Sequence, residues 1–205
     1  SIGKFEGDRF DPSKWRPQTP TTPYMEARDD DAFWGARKMS FFRNDLIRAA
    51  VTAGQYSDPA AAKYLGDMLI KRRDKILSTY LTAVNPIVNP RLEANGSLTF
   101  ENAAISADVA EGRPTYRASW MLFDNVTGAT KPLSSTQSQT TTLDAPAGLP
   151  TAAGSYIQVD ISGEPKAYPT WQTPIKTYFR RTGQGWTLVG LERLPEMVAP
   201  AHVLQ

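Results

Sequence analysis

A long amphipathic pattern in the first half of the chain constrains the fold more than any other feature. From Ser57 to Val84, apolar residues recur at three- and four-residue steps with charged residues between them, which is typical of a helix with one buried face. Ser57-Asp58-Pro59 is a favourable start, because serine caps helices, aspartate complements the dipole and proline is tolerated in the first turn. The pattern predicts a helix of about seven turns ending before Asn85-Pro86, because a residue before proline disfavours helical geometry. Its apolar positions are Ala62, Leu65, Leu69, Ile76, Tyr80 and Val84.

Two shorter helices are predicted before this one. The first begins at Asp29-Asp30-Asp31, where acidic side chains favour the helix dipole. The second covers Asn44 to Ala53 and ends at Gly54, a residue favoured at helix C-termini. Residues 1–28 contain four prolines and little periodicity, so they are predicted to form an extended arm that Trp15 and Tyr24 hold in place.

Beyond Pro90 the composition changes to threonine, aromatic and β-branched residues separated by glycine and proline, which indicates short strands joined by turns. Glycines in 124–128 and 182–185 favour two hairpins. The segment 134–142 is predicted to be either an edge strand or part of a mobile loop. The predicted strands are Ser97 to Ala103, Tyr116 to Asp124, Ser155 to Ile161, Ile175 to Arg181 and Trp186 to Glu192.

These patterns predict an α+β fold. A helical part with about three helices, residues 29–90, is expected to precede an antiparallel β-sandwich-like part, residues 91–195, and a tail, residues 196–205. The first residues do not resemble a signal peptide and do not include a starting methionine, so we expect a piece of a longer chain.

Composition excludes several classes of function. The chain contains no cysteine, which excludes disulfides, thiolate catalysis and thiolate metal sites. Its only histidine, His202, lies in the tail, so a histidine triad or a multi-histidine site is not expected. The 23 basic and 21 acidic residues are dispersed, which does not favour nucleic acid as a partner. No apolar run is long enough to span a membrane.

Clustered charges in the sequence have structural interpretations that compete with chemical ones. Asp29-Asp30-Asp31 could bind Mg²⁺ or Ca²⁺, but acidic residues at a helix start are far more common. Lys71-Arg72-Arg73 lies within the long helix, where surface or interhelical ion pairing is expected. Asp160 and Glu164 have no pattern that indicates acid–base catalysis, and the glycines near 183 precede a strand rather than the helix of a phosphate-binding loop. No cofactor is predicted.

Three residues of the β-rich part are candidate partner contacts. Trp171 lies in a proline-flanked loop and is predicted to be exposed, with Tyr168 beside it. Arg180 and Arg181 are consecutive residues of a strand, so their side chains must point to opposite faces. We therefore expect Trp171, Tyr168 and Arg181 to be available to a glycan or another protein.

Several short segments of the first 90 residues form a recognisable set: Gly3 to Glu6, Phe10 to Pro17, Asp31 to Lys38, Asp45 to Ala49, Gly54 to Pro59, Tyr64-Leu65 and Leu69 to Ile76. In these segments the chain resembles an uncharacterised family of bacterial proteins, whereas the β-rich part resembles it only loosely. Where Arg43 stands, the family pattern has a capping threonine, so this chain departs from it at the start of the second helix.

The resemblance implies that this chain is the C-terminal portion of a longer protein directed to the cell envelope. The region upstream is expected to resemble an atypical kinase fold, with a nucleotide-contacting lysine and an aspartate-phenylalanine-glycine-like motif, and none of those positions falls in this chain. The leading hypothesis is a non-catalytic structural or interaction portion in the periplasm or envelope that contacts the upstream region or another envelope protein. The alternatives are a glycan- or peptidoglycan-binding module and an enzyme with a carboxylate site.

Overall fold

The computed structural model describes residues 6–19 and 21–194, and the predicted tail at 196–205 lies outside them. Within these ranges the predicted α+β fold is confirmed, with helices mostly at the N-terminal end and two antiparallel sheets after them. The chain divides into two compact units. The helical unit contains the described residues up to Ala83 together with Ala104–Glu111, and the β unit contains Val84–Ala103 and the described residues from Gly112 onward.

The three helices predicted before residue 90 are present in the helical unit. Helix α1, Thr22–Met25, is a single turn that precedes them, and a 3-10 turn covers Pro12–Lys14. The predicted arm is therefore not extended throughout. The longer helices are α2, Asp29–Met39, α3, Asn44–Ala53, and α4, Pro59–Tyr80.

Helix α4 differs from its prediction at both ends. Asp58 rather than Ser57 is the N-cap, and its carboxylate accepts a hydrogen bond from Ala60 N–H at 2.9 Å. The helix ends at Tyr80, where the hydroxyl of Thr82 donates to the Ser78 carbonyl at 2.7 Å. A side-chain donor of this kind satisfies a carbonyl of the last turn, so the helix stops before Asn85.

The N-terminal arm contacts α4 through its backbone. Tyr80 donates its hydroxyl to the Pro12 carbonyl at 2.9 Å, and the ammonium group of Lys75 donates to the Phe10 carbonyl at 2.9 Å. Trp15 and Tyr24 form an edge-to-face pair with ring centres 5.9 Å apart, yet both rings are exposed. The Tyr24 hydroxyl also donates a hydrogen bond to the Trp15 carbonyl at 3.1 Å, so the two residues hold each other on the surface of the arm.

The β unit contains two antiparallel sheets that pack together, as the predicted sandwich-like part requires. In the five-stranded sheet the order is β4-β3-β6-β7-β8, and in the three-stranded sheet it is β1-β2-β5. A short helix, α5, Ala103–Ser106, follows β2, and from Ala104 onward it belongs to the helical unit. The strands are β1, Ile87–Leu92, β2, Ser97–Asn102, β3, Tyr116–Phe123, β4, Thr130–Ser138, β5, Thr142–Asp144, β6, Tyr156–Gly163, β7, Ile175–Thr182, and β8, Gly185–Glu192.

The five predicted strands correspond to β2, β3, β6, β7 and β8, and both predicted hairpins are present. Strand β1 was missed; it spans residue 90, where the sequence predicted the boundary between the helical and the β-rich part. In the segment 134–142, which was predicted to be an edge strand or a mobile loop, residues 134–138 belong to the edge strand β4, which pairs only with β3; residues 139–141 form a bend, and Thr142 begins β5. Edge strands tolerate the serine, threonine and glutamine residues of this segment since one side of the strand needs no partner.

Side chains from both sheets form one hydrophobic core. Trp120, Val159 and Phe179 contribute from the five-stranded sheet, and Ile87 and Leu98 contribute from the other. Each is at most 1% exposed. Across the described residues, no helix is both long and apolar enough to cross a bilayer.

Candidate functional site

The side chain of Trp171 is buried, so the prediction that it is exposed is wrong. Only 1% of the residue is accessible. A 3-10 turn at Pro169–Gln172 folds the loop inward, and the backbone N–H of Trp171 donates to the Tyr168 carbonyl at 3.1 Å. The indole stacks on the Tyr168 ring, with ring centres 4.7 Å apart and planes 13° apart. Burial of a large aromatic surface stabilises this turn and removes Trp171 from the surface available to a partner.

A buried asparagine that the sequence did not single out holds the same loop. Asn85, which is 2% exposed, donates its side-chain amide to the carbonyls of Ile161 at 2.9 Å, Trp171 at 3.3 Å and Thr173 at 3.0 Å. Its side-chain oxygen accepts a hydrogen bond from Ile87 N–H at 3.1 Å. This pattern is structural, because each polar atom of the side chain is satisfied by backbone.

The other two candidate contacts are half-buried. Tyr168 covers one face of Trp171, and its expected contact with a partner stays a prediction. Arg181 lies beside Trp186, with its guanidinium carbon 5.4 Å from the ring centre. Arg181 and Trp186 line a cleft of about 320 Å³ in the β unit. The sequence placed Arg181 on a strand but not next to this cleft.

The charged clusters of the helical unit have structural roles. Asp31 accepts a hydrogen bond from Arg28 N–H at 2.9 Å at the start of α2, as expected of acidic residues there. Lys71 forms an ion pair with Asp8, and the guanidinium group of Arg72 lies 3.9 Å from the ring centre of Phe10. In the part of the chain that the structure describes, no group of three or more histidine and acidic side chains is placed to hold a metal.

Asp160 is an acidic residue of the β unit with a partly buried carboxyl group and a raised pKa. It lies on the face of β6 opposite Ile157, Val159 and Ile161, as predicted. Burial raises its pKa, while a hydrogen bond from the Gln158 amide at 2.7 Å acts in the opposite direction. The amide fixes the carboxylate, and the arrangement provides no nucleophile or acid–base pair among the contacts just described.

On the same face of the sheet, Tyr178 has a pKa raised to about 12. Burial is the main cause, and the neighbouring Glu192 carboxylate adds to it. The hydroxyl donates to Glu192 at 3.2 Å. This tyrosine stays neutral over the physiological range and acts as a hydrogen-bond donor.

An accessible apolar surface of the helical unit was missed as a site. It consists of side chains from α2, α3, the turn between them and α4, and we call it the α2–α3 apolar surface. Part of it is a groove of about 370 Å³. Phe41, Phe42 and Leu46 are 65%, 54% and 50% exposed. The surface contains Met39, Phe41, Phe42, Leu46, Ile47, Ala50 and Leu69.

The exposed rings stand on an ordered turn. Arg73 of α4 donates to the Phe42 carbonyl at 2.6 Å and to the Asn44 side-chain oxygen at 2.7 Å. Arg43 precedes α3 without capping it through its side chain, and its guanidinium instead contacts Asp45 through hydrogen bonds of 3.2 and 2.7 Å. These bonds fix the turn, so the exposure of Phe41 and Phe42 belongs to the folded structure.

Comparison with known proteins gives no match to this chain among family models, curated proteins or solved structures.

Proposed function

We propose that this chain is a non-catalytic interaction portion of a larger bacterial envelope protein, and that the α2–α3 apolar surface is where its helical unit binds a protein partner. The observation that carries the proposal is the exposure of Phe41, Phe42 and Leu46 beside an open groove. Contiguous exposed apolar side chains on a folded protein mark interaction sites more often than isolated ones do.

The composition of the surface fits protein recognition. Aromatic residues and methionine are enriched at the centres of protein interfaces, and this surface has Phe41, Phe42 and Met39. Leu46, Ile47 and Ala50 lie along one side of α3, in which Val51 is the only buried residue. A helix with so little of its apolar side buried gains stability when a partner covers that side.

The partner that we propose is the kinase-like region expected upstream in the same protein, or another envelope protein. This part of the proposal rests on the resemblance of residues 1–90 to the bacterial family. Periplasm or cell envelope is the proposed location on the same basis.

The alternative hypothesis, a glycan- or peptidoglycan-binding module, depends mainly on Trp171, which is buried. That hypothesis used Trp171 as a platform for a sugar ring, and the ring is buried against Tyr168. Stacking on a sugar requires an accessible aromatic face, so the exposed rings of the helical unit favour a protein partner over this use of the β unit.

The proposal is tested by titrating this chain with the separately produced upstream region and following binding by calorimetry. Phe42→Ser and Leu46→Lys place a polar and a charged group at the centre of the surface. Each substitution should weaken binding at least about tenfold, since truncating a hot-spot residue at the centre of an interface costs about 2 kcal/mol or more and a tenfold change corresponds to about 1.4 kcal/mol. Far-UV circular dichroism would verify that α3 remains folded.

Val126→Lys is the matched control, because Val126 is 94% exposed in the turn between β3 and β4. Adding a lysine there changes net charge by the same amount as Leu46→Lys but leaves the α2–α3 apolar surface intact. An upstream region that binds Leu46→Lys as tightly as the parent would contradict the proposal, as would equal weakening by Val126→Lys.

A further inference from the structure

A second cleft lies in the β unit and is separate from the α2–α3 apolar surface. Three chain segments surround its volume of about 320 Å³, which is within the range of small-molecule sites. They are the turn between β1 and β2, the segment after β5 and the hairpin between β7 and β8. The residues that line the cleft are Ala94, Asn95, Gly96, 145–151, Arg181 and Trp186.

Backbone hydrogen bonds hold the walls of the cleft. Ala145 N–H donates to the Gly96 carbonyl at 2.8 Å, which ties the segment after β5 to the first turn. Gly185, at φ +142°, allows the hairpin turn of the third wall, since residues with a side chain rarely adopt this conformation. The cleft is therefore a built part of the β unit.

Arg181 is the one charged side chain among the residues that line the cleft. Two hydrogen bonds fix its backbone. The N–H of Arg181 donates to the Ser155 carbonyl at 2.8 Å, and the carbonyl of Arg181 accepts from the Gly154 N–H at 2.9 Å. The guanidinium lies over Trp186, as described above. Its Nε atom is buried and has no hydrogen-bond partner among the residues that the structure describes.

A buried donor without a partner is unusual in a folded protein, and a cationic one more so. The planar guanidinium presents its N–H groups in a fork that matches the two oxygens of a carboxylate. Proline, alanine and leucine side chains of 145–151 provide an apolar wall for the body of a ligand. We propose that this cleft binds a small ligand through a carboxylate group held by Arg181.

The neighbouring arginine provides an internal comparison. Arg180 lies on the opposite face of β7, is exposed and has its guanidinium carbon 6.0 Å from the ring centre of Tyr156. It carries the same charge one residue away but is not part of the cleft lining. If binding depended only on local positive charge, replacing either arginine would weaken it. If a carboxylate is held by the guanidinium of Arg181, only replacement of Arg181 should weaken binding strongly.

The experiment titrates the ¹⁵N-labelled chain with two acids and follows the indole N–H signal of Trp186, assigned with Trp186→Phe. The acids are N-acetyl-L-alanine, which has a small apolar body, and D-glucuronate, which has a sugar body. Each is compared with its neutral amide. We expect saturable binding of at least one acid and at least about tenfold weaker binding of its amide, since charge-assisted hydrogen bonds are lost. The acid that binds shows whether the cleft accepts a small apolar group or a sugar beside the carboxylate.

Arg181→Gln should weaken binding of that acid at least about tenfold, while Arg180→Gln should change it less than about twofold. The proposal is overturned if neither acid gives a saturable response, if acid and amide bind equally, or if Arg181→Gln binds like the parent. The acid–amide comparison uses the parent chain and so does not depend on whether a variant folds. The titration does not involve the helical unit's partner, so its outcome is independent of the proposed function.

Discussion

At the scale of single residues, a buried polar side chain of the β unit, that of Asn85, fixes the position of the loop that contains Trp171. Asn85 contacts the backbone of β6 and of the loop that holds Trp171. Asparagine suits this position because one amide offers two donors and an acceptor. Nothing in its sequence neighbourhood distinguishes Asn85 from an asparagine in an exposed turn.

Replacing Asn85 with alanine should therefore destabilise the protein by about 2 to 4 kcal/mol, because buried carbonyls and an N–H lose their partner. Urea denaturation measures the change in the free energy of unfolding. Asn125→Ala, in the exposed turn after β3, is the control and should change stability by less than about 0.5 kcal/mol. A similar small loss for both variants would contradict a structural role for Asn85.

A second residue-scale prediction concerns the raised pKa of Asp160. Burial makes ionisation of this carboxyl unfavourable in the folded state, so the protein loses stability as pH rises from the ordinary value near 3.8 through the higher folded pKa. Asp160→Asn stays neutral and keeps the acceptor for Gln158. Its stability relative to the parent, measured by urea denaturation, should therefore increase from acidic to neutral pH.

Asp124→Asn should show the opposite trend. Hydrogen bonds from the backbone N–H groups of Val126 and Thr127 lower the pKa of Asp124, so its ionised form stabilises the fold. This contribution is present at neutral pH and is lost as pH falls through the lowered pKa. Parallel pH dependences for the two variants would show that burial of Asp160 does not control its titration.

At the scale of elements, the amphipathic stripe of α4 is only partly used. Apolar periodicity predicted that its apolar side would be a core, yet Leu65, Leu69 and Ile76 are half-buried. Leu77, one position away from the predicted stripe, is 4% exposed. Periodicity indicates which side of a helix is apolar, but the neighbouring elements decide how much of that side is covered.

The two leucines of α4 should therefore differ in their contribution to stability. Leu77→Ala should cost about 2 to 5 kcal/mol, because it leaves a cavity in a packed site. Leu69→Ala, at the edge of the open groove, should cost about 1 kcal/mol, since less apolar surface returns to water. Chemical denaturation compares the variants, and an equal or larger loss for Leu69→Ala would show that its side chain is as well packed as that of Leu77.

At the scale of the whole molecule, each of the two units has its own buried residues. Ala104–Glu111 belongs to the helical unit although it is inserted between β2 and β3, so the units are not simple consecutive halves of the sequence. The predicted boundary at residue 90 differs from the observed division after Ala83 because it falls inside β1, which belongs entirely to the β unit. A buried strand of six residues around Pro90 has too little periodicity to be separated from the end of a helical region.

The two units should unfold in separate transitions. The long helices α2, α3 and α4 belong to the helical unit, whereas the buried Trp120 and Trp171 belong to the β unit. Leu77→Ala should shift mainly the transition seen by far-UV circular dichroism, and Ile161→Ala mainly the one seen by tryptophan fluorescence. Equal shifts of both signals by either variant would contradict separate transitions.

The sequence by itself determined the α+β class, α3 and most strand boundaries, because capping, periodicity and turn residues act between close neighbours in the chain. It also placed Arg180 and Arg181 on opposite faces of a strand, which follows from the two-residue repeat of β structure. Only the tertiary structure decided that Trp171 is buried, that Phe41 and Phe42 remain exposed, and that Arg181 meets residues 145–151. These outcomes depend on segments distant in sequence, and local patterns do not specify which of them meet when the core packs.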